Sequence, residues 1–184
     1  MIKTISYPRA ALIGNPSDGY FGKTIAFVFS NFSAEVELEE SETLQIIPCN
    51  RERLAFESIT DLVNEIDKNG YYGGVRLVKA AIKVFNDYCR KHGLQLSDKN
   101  FTIRYSSSIP GRLGLAGSSA IVTATMKALM QFYNIEIANP VLANLILSAE
   151  KDELKIGAGL QDRVAQVYNC PVFMSFDKSL MDKQ

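Results

Sequence analysis

Residues 110–120 join a predicted strand to a predicted helix and read Pro110-Gly111-Arg112-Leu113-Gly114-Leu115-Ala116-Gly117-Ser118-Ser119-Ala120. Before them, residues 101–105 alternate in polarity and are rich in β-branched and aromatic side chains, which favours a strand. After them, residues 120–133 contain no glycine or proline and are apolar on nearly every side, as is typical of a buried helix. Three glycines and two serines at this junction indicate a binding loop rather than core.

A helix that begins at such a loop can bind an anion. The first four N–H groups of a helix have no partner within it, and the helix dipole adds about half a positive charge at that end. Glycine lets the backbone approach an anion closely, and the hydroxyls of Ser118 and Ser119 can cap the helix, contact phosphate or ligate Mg²⁺. A plain glycine turn with a serine N-cap is the alternative, and the residues alone leave both open.

The composition argues against several classes of protein. The chain has 184 residues, of which 47% are hydrophobic and 22% charged, enough for one domain or two small ones. Twenty basic residues balance twenty acidic ones, which disfavours nucleic-acid binding. Three scattered cysteines and one histidine argue against a disulfide framework, a zinc site and a Ser-His-Asp triad. No long apolar run or signal-like start occurs, so we expect a cytoplasmic protein with no membrane partner.

The periodicity predicts an α+β fold, with an antiparallel, partly mixed sheet covered on one side by helices. Residues 24–30, 33–39 and 43–47 alternate in polarity, which predicts three consecutive antiparallel strands. Glu35, Glu37 and Glu39 share one face of the middle strand, so a solvated face is favoured over a metal site. Helices are predicted over the apolar periods at residues 58–68, 75–91, 141–150 and 162–167, and a last strand at 171–176.

Two carboxylates lie at predicted helices. Glu150 ends a strongly apolar segment, so its side chain either turns to solvent or pairs with a positive group. Asp162 follows a glycine-rich segment at a helix start, where the dipole alone favours a carboxylate. The residues by themselves favour structural roles for both. Similarly, Asn15-Pro16-Ser17-Asp18-Gly19 has the chemistry of a tight turn after a short apolar strand.

Residues 110–120 resemble, position for position, the P-x-x-x-G-L-x-x-S-S-A phosphate loop of the GHMP kinases, the superfamily of galactokinase, homoserine kinase, mevalonate kinase and phosphomevalonate kinase. The loop is not a Walker A motif, because Ser118 stands where that motif has lysine. The resemblance implies that ATP is bound by Pro110, Gly111, Gly114, Leu115, Ala116, Gly117, Ser118, Ser119 and Ala120.

Residues 9–22 extend this resemblance. Arg9 matches the basic residue on the first strand, and Gly14, Asp18 and Gly22 match the G-E-H-x-D-x-x-x-G substrate loop. Asn15 and Pro16 replace the usual Glu-His, and the resulting G-N-P-S-D-x-Y-F-G resembles the glucuronokinase branch, which phosphorylates the anomeric hydroxyl of glucuronic acid. The resemblance implies sugar binding by Asn15, Ser17, Asp18 and Tyr20.

The resemblance also assigns roles to the two carboxylates. Asp162 would face the sugar hydroxyl as the catalytic base with Arg9 beside it, and Ser119 and Glu150 would hold Mg²⁺. It implies the ribosomal protein S5 domain 2-like fold of the amino-terminal half of these kinases. Residues 1–184 would be nearly the whole ATP-binding amino-terminal domain, with the carboxy-terminal domain absent.

Two functions follow from the resemblance. One is ATP-dependent phosphorylation of a uronic acid at its anomeric hydroxyl, with the second half supplied by a homo-oligomer or a partner chain. The other is a non-catalytic ATP-binding or interaction module. A missing half predicts an exposed apolar patch on this chain.

Overall fold

The computed structural model describes residues 1–49, 52, 57–69 and 73–181. Its strands are β1 (Ile2–Ser6), β2 (Arg9–Ile13), β3 (Lys23–Val28), β4 (Ala34–Ser41), β5 (Gln45–Ile47), β6 (Asn100–Ser107) and β7 (Val172–Ser175). Its helices are α1 (Ile59–Asn69), α2 (Gly74–Lys91), α3 (Gly117–Tyr133), α4 (Asn139–Ser148), α5 (Leu160–Tyr168) and α6 (Lys178–Met181). A 3₁₀ turn spans Ser17–Tyr20, and a single π-helical turn, Ala149–Glu153, follows α4.

The strands form two separate sheets. The four-stranded sheet has the order β1-β4-β6-β5, with β5 parallel to β6 and the other pairs antiparallel. The three-stranded sheet has the order β2-β3-β7 and is antiparallel throughout. The predicted α+β class with a partly mixed sheet is confirmed.

The predicted pairing of three consecutive strands is wrong. β3 belongs to the three-stranded sheet, β4 lies between β1 and β6, and β5 pairs with β6 rather than with β4. Alternating polarity shows that a strand has one apolar side, but it does not show which strand lies beside it. The partners that decide the pairing, β1, β6 and β7, are distant in sequence, and β1 was not predicted.

The main core lies on one face of the four-stranded sheet. Helix α3 packs against β1, β4 and β6, and α2 packs beside it. Val36 and Ile103 are fully buried under these helices, and α3 itself is buried along most of its length, as predicted. Thr4 of β1 donates a hydrogen bond from Oγ1 to the carbonyl of Ala124 in α3 at 2.7 Å, which satisfies a polar group inside this packing.

The opposite face of this sheet is polar. Lys3 forms ion pairs with Glu35 at 2.7 Å and Glu37 at 3.4 Å, and Arg104 lies directly opposite Glu37 on β6. The buried residue between the two glutamates, Val36, points the other way. The prediction of a solvated acidic face is therefore confirmed, and the acidic side chains are paired across strands.

Among the described residues, a helix covers only one face of the three-stranded sheet. Helix α5 packs on that face, where Ala26, Ala165, Met174 and Phe176 form a small second core. On the other face, Ile13, Ile25 and Phe173 lie in one row across the three strands. Ile13 is 63% exposed and Phe173 is 65% exposed. We call this row the open face. Among the described helices, none has the length and apolar character needed to cross a membrane.

Candidate active site

The loop between β6 and α3 has an unusual backbone. Arg112, Gly114 and Ala116 have φ values of 61°, 68° and 59°, so every second residue is in the left-handed region. Alternation of backbone hand turns neighbouring N–H groups towards one side, the concave arrangement that binds anions. Added Cβ atoms at Gly111 and Gly114 would meet nothing within 4 Å, so there is open space beside the loop.

Helix α3 begins at this loop without a serine cap. Ala116 occupies the N-cap position, and no side chain caps it. The first turn also contains no acidic residue, so its positive end is not offset locally. The alternative of a serine N-cap is therefore wrong, because Ser118 and Ser119 lie inside the first turn. Ser119 is fully buried and donates from Oγ to the carbonyl of Ala116 at 3.1 Å, which leaves its oxygen lone pairs available.

Arg9 connects this loop to Asp162. It is the first residue of β2 and only 8% exposed. Its backbone N–H donates to the carbonyl of Leu115 at 3.1 Å, and its guanidinium forms an ion pair with Oδ1 of Asp162. Residues 9, 115 and 162 are far apart in sequence, and the structure brings them together as the resemblance implied.

Asp162 lies in the first turn of α5 between two arginines. Arg9 contacts Oδ1, and Nη1 of Arg163 donates to Oδ2 at 3.1 Å. The Asp162 side chain is 19% exposed, so a small molecule can reach it. Arg163 was not singled out from the sequence. The sequence shows that Arg163 follows Asp162, but it does not show which way the Arg163 side chain points.

Glu150 is paired as well. It lies in the π-helical turn, is fully buried, and its Oε2 accepts from both Nε of Arg163, at 2.9 Å, and Nη2. Arg163 also donates from Nη1 to the carbonyl of Gly159 at 2.8 Å. The expectation that this carboxylate turns to solvent or meets a cation is resolved in favour of the cation. Oε1 of Glu150 is buried and has no hydrogen-bond partner within the described part of the chain.

The predicted sugar-binding residues lie in the loop after β2. Gly14 has a φ of 88°, and a Cβ there would lie 2.1 Å from the Lys23 carbonyl, so this position requires glycine. Tyr20 is 79% exposed, and Asn15 and Ser17 lie in the same loop. The side chain of Asp18 lies outside what the structure describes. The loop starts at the end of β2 opposite Arg9, and none of the described contacts of Asp162 comes from it.

A partly buried lysine lies behind the site. Lys127 of α3 donates from Nζ to the carbonyl of Gln166 in α5 at 3.3 Å, and burial lowers the pKa of Lys127. Its position between α3 and α5 places one cation where the two packed regions meet.

The chain is similar to several known proteins. The family model described as "GHMP kinases N terminal domain" matches residues 76–170. The chain is 52% identical to "Probable glucuronokinase 2" of Arabidopsis thaliana, over 97% of this chain and 50% of that protein. It is 50% identical to "Glucuronokinase 1" of the same plant, again over 97% of this chain and 50% of that protein. The chain therefore spans about half the length of these curated relatives.

A solved mevalonate kinase superposes with a TM-score of 0.73 at 24% identity, over 97% of this chain and 55% of that one. This likeness concerns the fold alone. It agrees with the predicted α+β fold.

Proposed function

This chain belongs to the GHMP kinase family, and we propose that it is the ATP-binding part of a kinase that phosphorylates the anomeric hydroxyl of a uronic acid. One observation carries the proposal: the hydrogen bond and ion pair that run from Leu115 through Arg9 to Asp162. They hold a partly exposed carboxylate and a guanidinium against a loop whose backbone suits an anion. Phosphoryl transfer needs this combination of a held phosphate and a positioned hydroxyl.

The loop would hold the phosphates of ATP. Backbone N–H groups from Gly114 to Ser119 and the uncapped start of α3 offer donors and positive potential without a side-chain charge. The open space beside Gly111 and Gly114 leaves room for the phosphates. Pro110 and Ala120 are the first and last residues of this loop segment.

Asp162 and Arg9 would act on the reacting groups. Asp162 accepts the proton of the sugar hydroxyl or orients that hydroxyl, and Arg9 offsets negative charge on the transferring phosphoryl group. Asp162 is partly exposed while Arg9 is nearly buried, so the carboxylate can meet substrate while the arginine stays fixed.

The donor set fits Mg²⁺. Ser119 keeps oxygen lone pairs, and Oε1 of Glu150 is a buried carboxylate oxygen without a described partner. Mg²⁺ in kinases is held by one or two protein oxygens together with substrate phosphates, and Ser119 and Glu150 would be those protein oxygens. When bound, Mg²⁺ neutralises charge on the phosphates.

The uronic acid is inferred from the glucuronokinase relatives. Asn15, Ser17, Asp18 and Tyr20 would bind its hydroxyls. Its carboxylate needs a cation, for which Lys23 and Arg112 are candidates. Arg112 already donates to the carbonyls of Asp67 and Ile66 at 3.1 and 3.4 Å, whereas the Lys23 side chain is 61% exposed and lies 4.0 Å from Asp177. Lys23 is therefore the better candidate.

The curated relatives are about twice as long as the part of them that matches this chain, so a second structural unit would take part in turnover. The open face, with Ile13 and Phe173 exposed, is the kind of apolar surface that a missing half leaves uncovered. That unit would complete the active site, whether it belongs to the same polypeptide, to a second copy or to a partner chain.

The test is ADP release by the chain with Mg-ATP and glucuronate, galacturonate, galactose or mevalonate. We expect turnover with a uronic acid, reduced about 10²- to 10⁴-fold by Asp162→Asn. Asp87→Asn, at an exposed carboxylate paired with Lys83 on α2, is the matched control and should keep the full rate. Full activity in Asp162→Asn would remove this residue from the mechanism. No turnover in a chain that still binds ADP would mean that it is a nucleotide half-site awaiting its second half.

A further inference from the structure

Gln166 connects three parts of the site. It lies on α5 one turn after Asp162 and is 1% exposed. Its Nε2 donates to the carbonyl of Ala116 at 3.0 Å and to the carbonyl of Tyr7 at 3.1 Å. One amide group therefore joins α5, the segment before β2 and the loop at the start of α3.

Ala116 is, with Arg112, one of two residues with a Cβ in this loop whose backbone is in the left-handed region. It is in the left-handed region with φ 59° and ψ 40°, which is unfavourable for a residue with a Cβ. Its carbonyl accepts from Ser119 Oγ and from the backbone N–H of Ala120, both at 3.1 Å, and from Gln166. The first two donors belong to α3 itself. Gln166 is the donor that comes from another element.

The direction of this carbonyl decides the direction of an N–H group. The carbonyl of Ala116 and the N–H of Gly117 belong to one planar trans peptide unit and point in opposite directions. A donor that holds the carbonyl therefore aims the Gly117 N–H away from α5, as one of the amides that would face phosphate. Loss of that donor leaves this peptide unit held only by the two donors of α3, Ser119 Oγ and the Ala120 N–H, with no contact from α5.

We infer that Gln166 is a positioning residue that holds the phosphate loop in its anion-binding conformation and ties it to the helix that carries Asp162. The identity of the anion as nucleotide phosphate rests on the proposed function. The inference about the loop itself rests on the contacts of Gln166 alone. Gln166 contacts neither the nucleotide nor the sugar. A change at Gln166 therefore alters the fraction of molecules whose loop is in the conformation that binds nucleotide.

The same helix offers a matched control. Gln161 is also on α5 and also 1% exposed, but neither its Nε2 nor its Oε1 has a partner in the described part of the chain. Methionine has nearly the shape of glutamine without the amide. Gln166→Met therefore removes two buried hydrogen bonds, and Gln161→Met removes none.

The experiment measures ADP affinity by calorimetry and amide hydrogen exchange of residues 110–120 without nucleotide. Both are done at a temperature at which circular dichroism shows wild type and variants folded. We expect Gln166→Met to weaken ADP binding about tenfold, the effect of one or two lost hydrogen bonds, and to speed exchange in the loop. Gln161→Met should stay within about twofold of wild type in both measurements.

A rescue separates loop positioning from general stability. Ala116→Gly removes the cost of the left-handed conformation, so in that background Gln166→Met should lose most of its effect on ADP affinity. A merely structural role of Gln166 predicts the same loss of affinity in both backgrounds. If Gln166→Met does not fold, Gln166→Asn keeps the amide one methylene shorter and takes its place.

Unchanged loop exchange and ADP affinity in Gln166→Met would overturn the inference, and so would an equal loss in Gln161→Met. A wild-type chain that does not bind ADP would overturn the proposed function instead. In that case the exchange rates would still decide whether Gln166 holds the loop.

Discussion

The two sheets of this molecule are covered by other elements to different degrees. The four-stranded sheet buries one face under α2 and α3 and pairs charges across the other. The three-stranded sheet buries one face under α5 and leaves Ile13 and Phe173 exposed on the other. The candidate active site draws on both, because the loop leads from β6 into α3, while Arg9 begins β2 and Asp162 lies on α5. The better-covered sheet thus carries the candidate phosphate loop, and the less covered sheet carries the pair of Arg9 and Asp162.

The largest effect on the free energy of unfolding is expected at the ion pair between Glu150 and Arg163, which connects the two regions. Arg163→Met leaves the fully buried Glu150 without its cation and should lower the free energy of unfolding by about 5 kcal/mol, the upper end for a broken buried pair. Urea unfolding measures this loss. Adding Glu150→Gln should recover much of it, because the remaining group is then neutral. A double variant no more stable than Arg163→Met would show that the unpaired charge of Glu150 is not the cause of the loss.

The same substitution on the two sheets measures how differently they are packed. Phe101 of β6 is 1% exposed, and Phe101→Ala should cost about 3 to 5 kcal/mol of unfolding free energy. Phe173 of β7 is 65% exposed, and Phe173→Ala should change it by less than about 0.5 kcal/mol. Both are measured by urea unfolding at low and high protein concentration. A large, concentration-dependent cost at Phe173 would mean that copies of this chain cover the open face themselves.

The smallest effect is expected at Lys127, between α3 and α5. Burial lowers the pKa of Lys127 from its ordinary value of 10.5, so the unfolded chain holds more protons than the folded chain just below that value. Stability should therefore rise as the pH rises towards 10.5, since the folded chain no longer buries a charge there. Thermal unfolding of wild type and Lys127→Met across this range isolates the contribution, which should be absent in the variant. Parallel pH profiles would contradict it.

The sequence predicted the individual helices and strands of this fold better than it predicted which strands pair. The helices of the main core have long apolar periods, and the prediction for α3 came within three residues of its start at Gly117. The predicted strand pairing failed because β3, β4 and β5 follow one another in sequence but do not pair with one another. Instead, β3 pairs with β2 and β7, β4 pairs with β1 and β6, and β5 pairs with β6. Pairing is decided by packing across the whole chain, which local periodicity does not contain.

The candidate site shows the same contrast between what local sequence predicts and what only the packing of the whole chain decides. Arg9, Asp162, Glu150 and the loop were found through motif order, and the structure brings Arg9, Asp162 and the loop into contact. Arg163 and Gln166 were missed, because arginine and glutamine on a short helix ordinarily face solvent. Their burial follows from where α5 sits relative to the π-helical turn and Ala116. Only the assembled structure supplies that placement.

The π-helical turn at Ala149–Glu153 also constrains the length of the chain. A π turn holds one more residue than an α-helical turn, and each residue of a helix advances its direction by about 100°. A one-residue deletion that converted this turn to α-helix would swing Glu150 about that far from Arg163 while changing no side chain of the site. The number of residues in this turn therefore matters to the Glu150–Arg163 pair as much as the identity of the two side chains does.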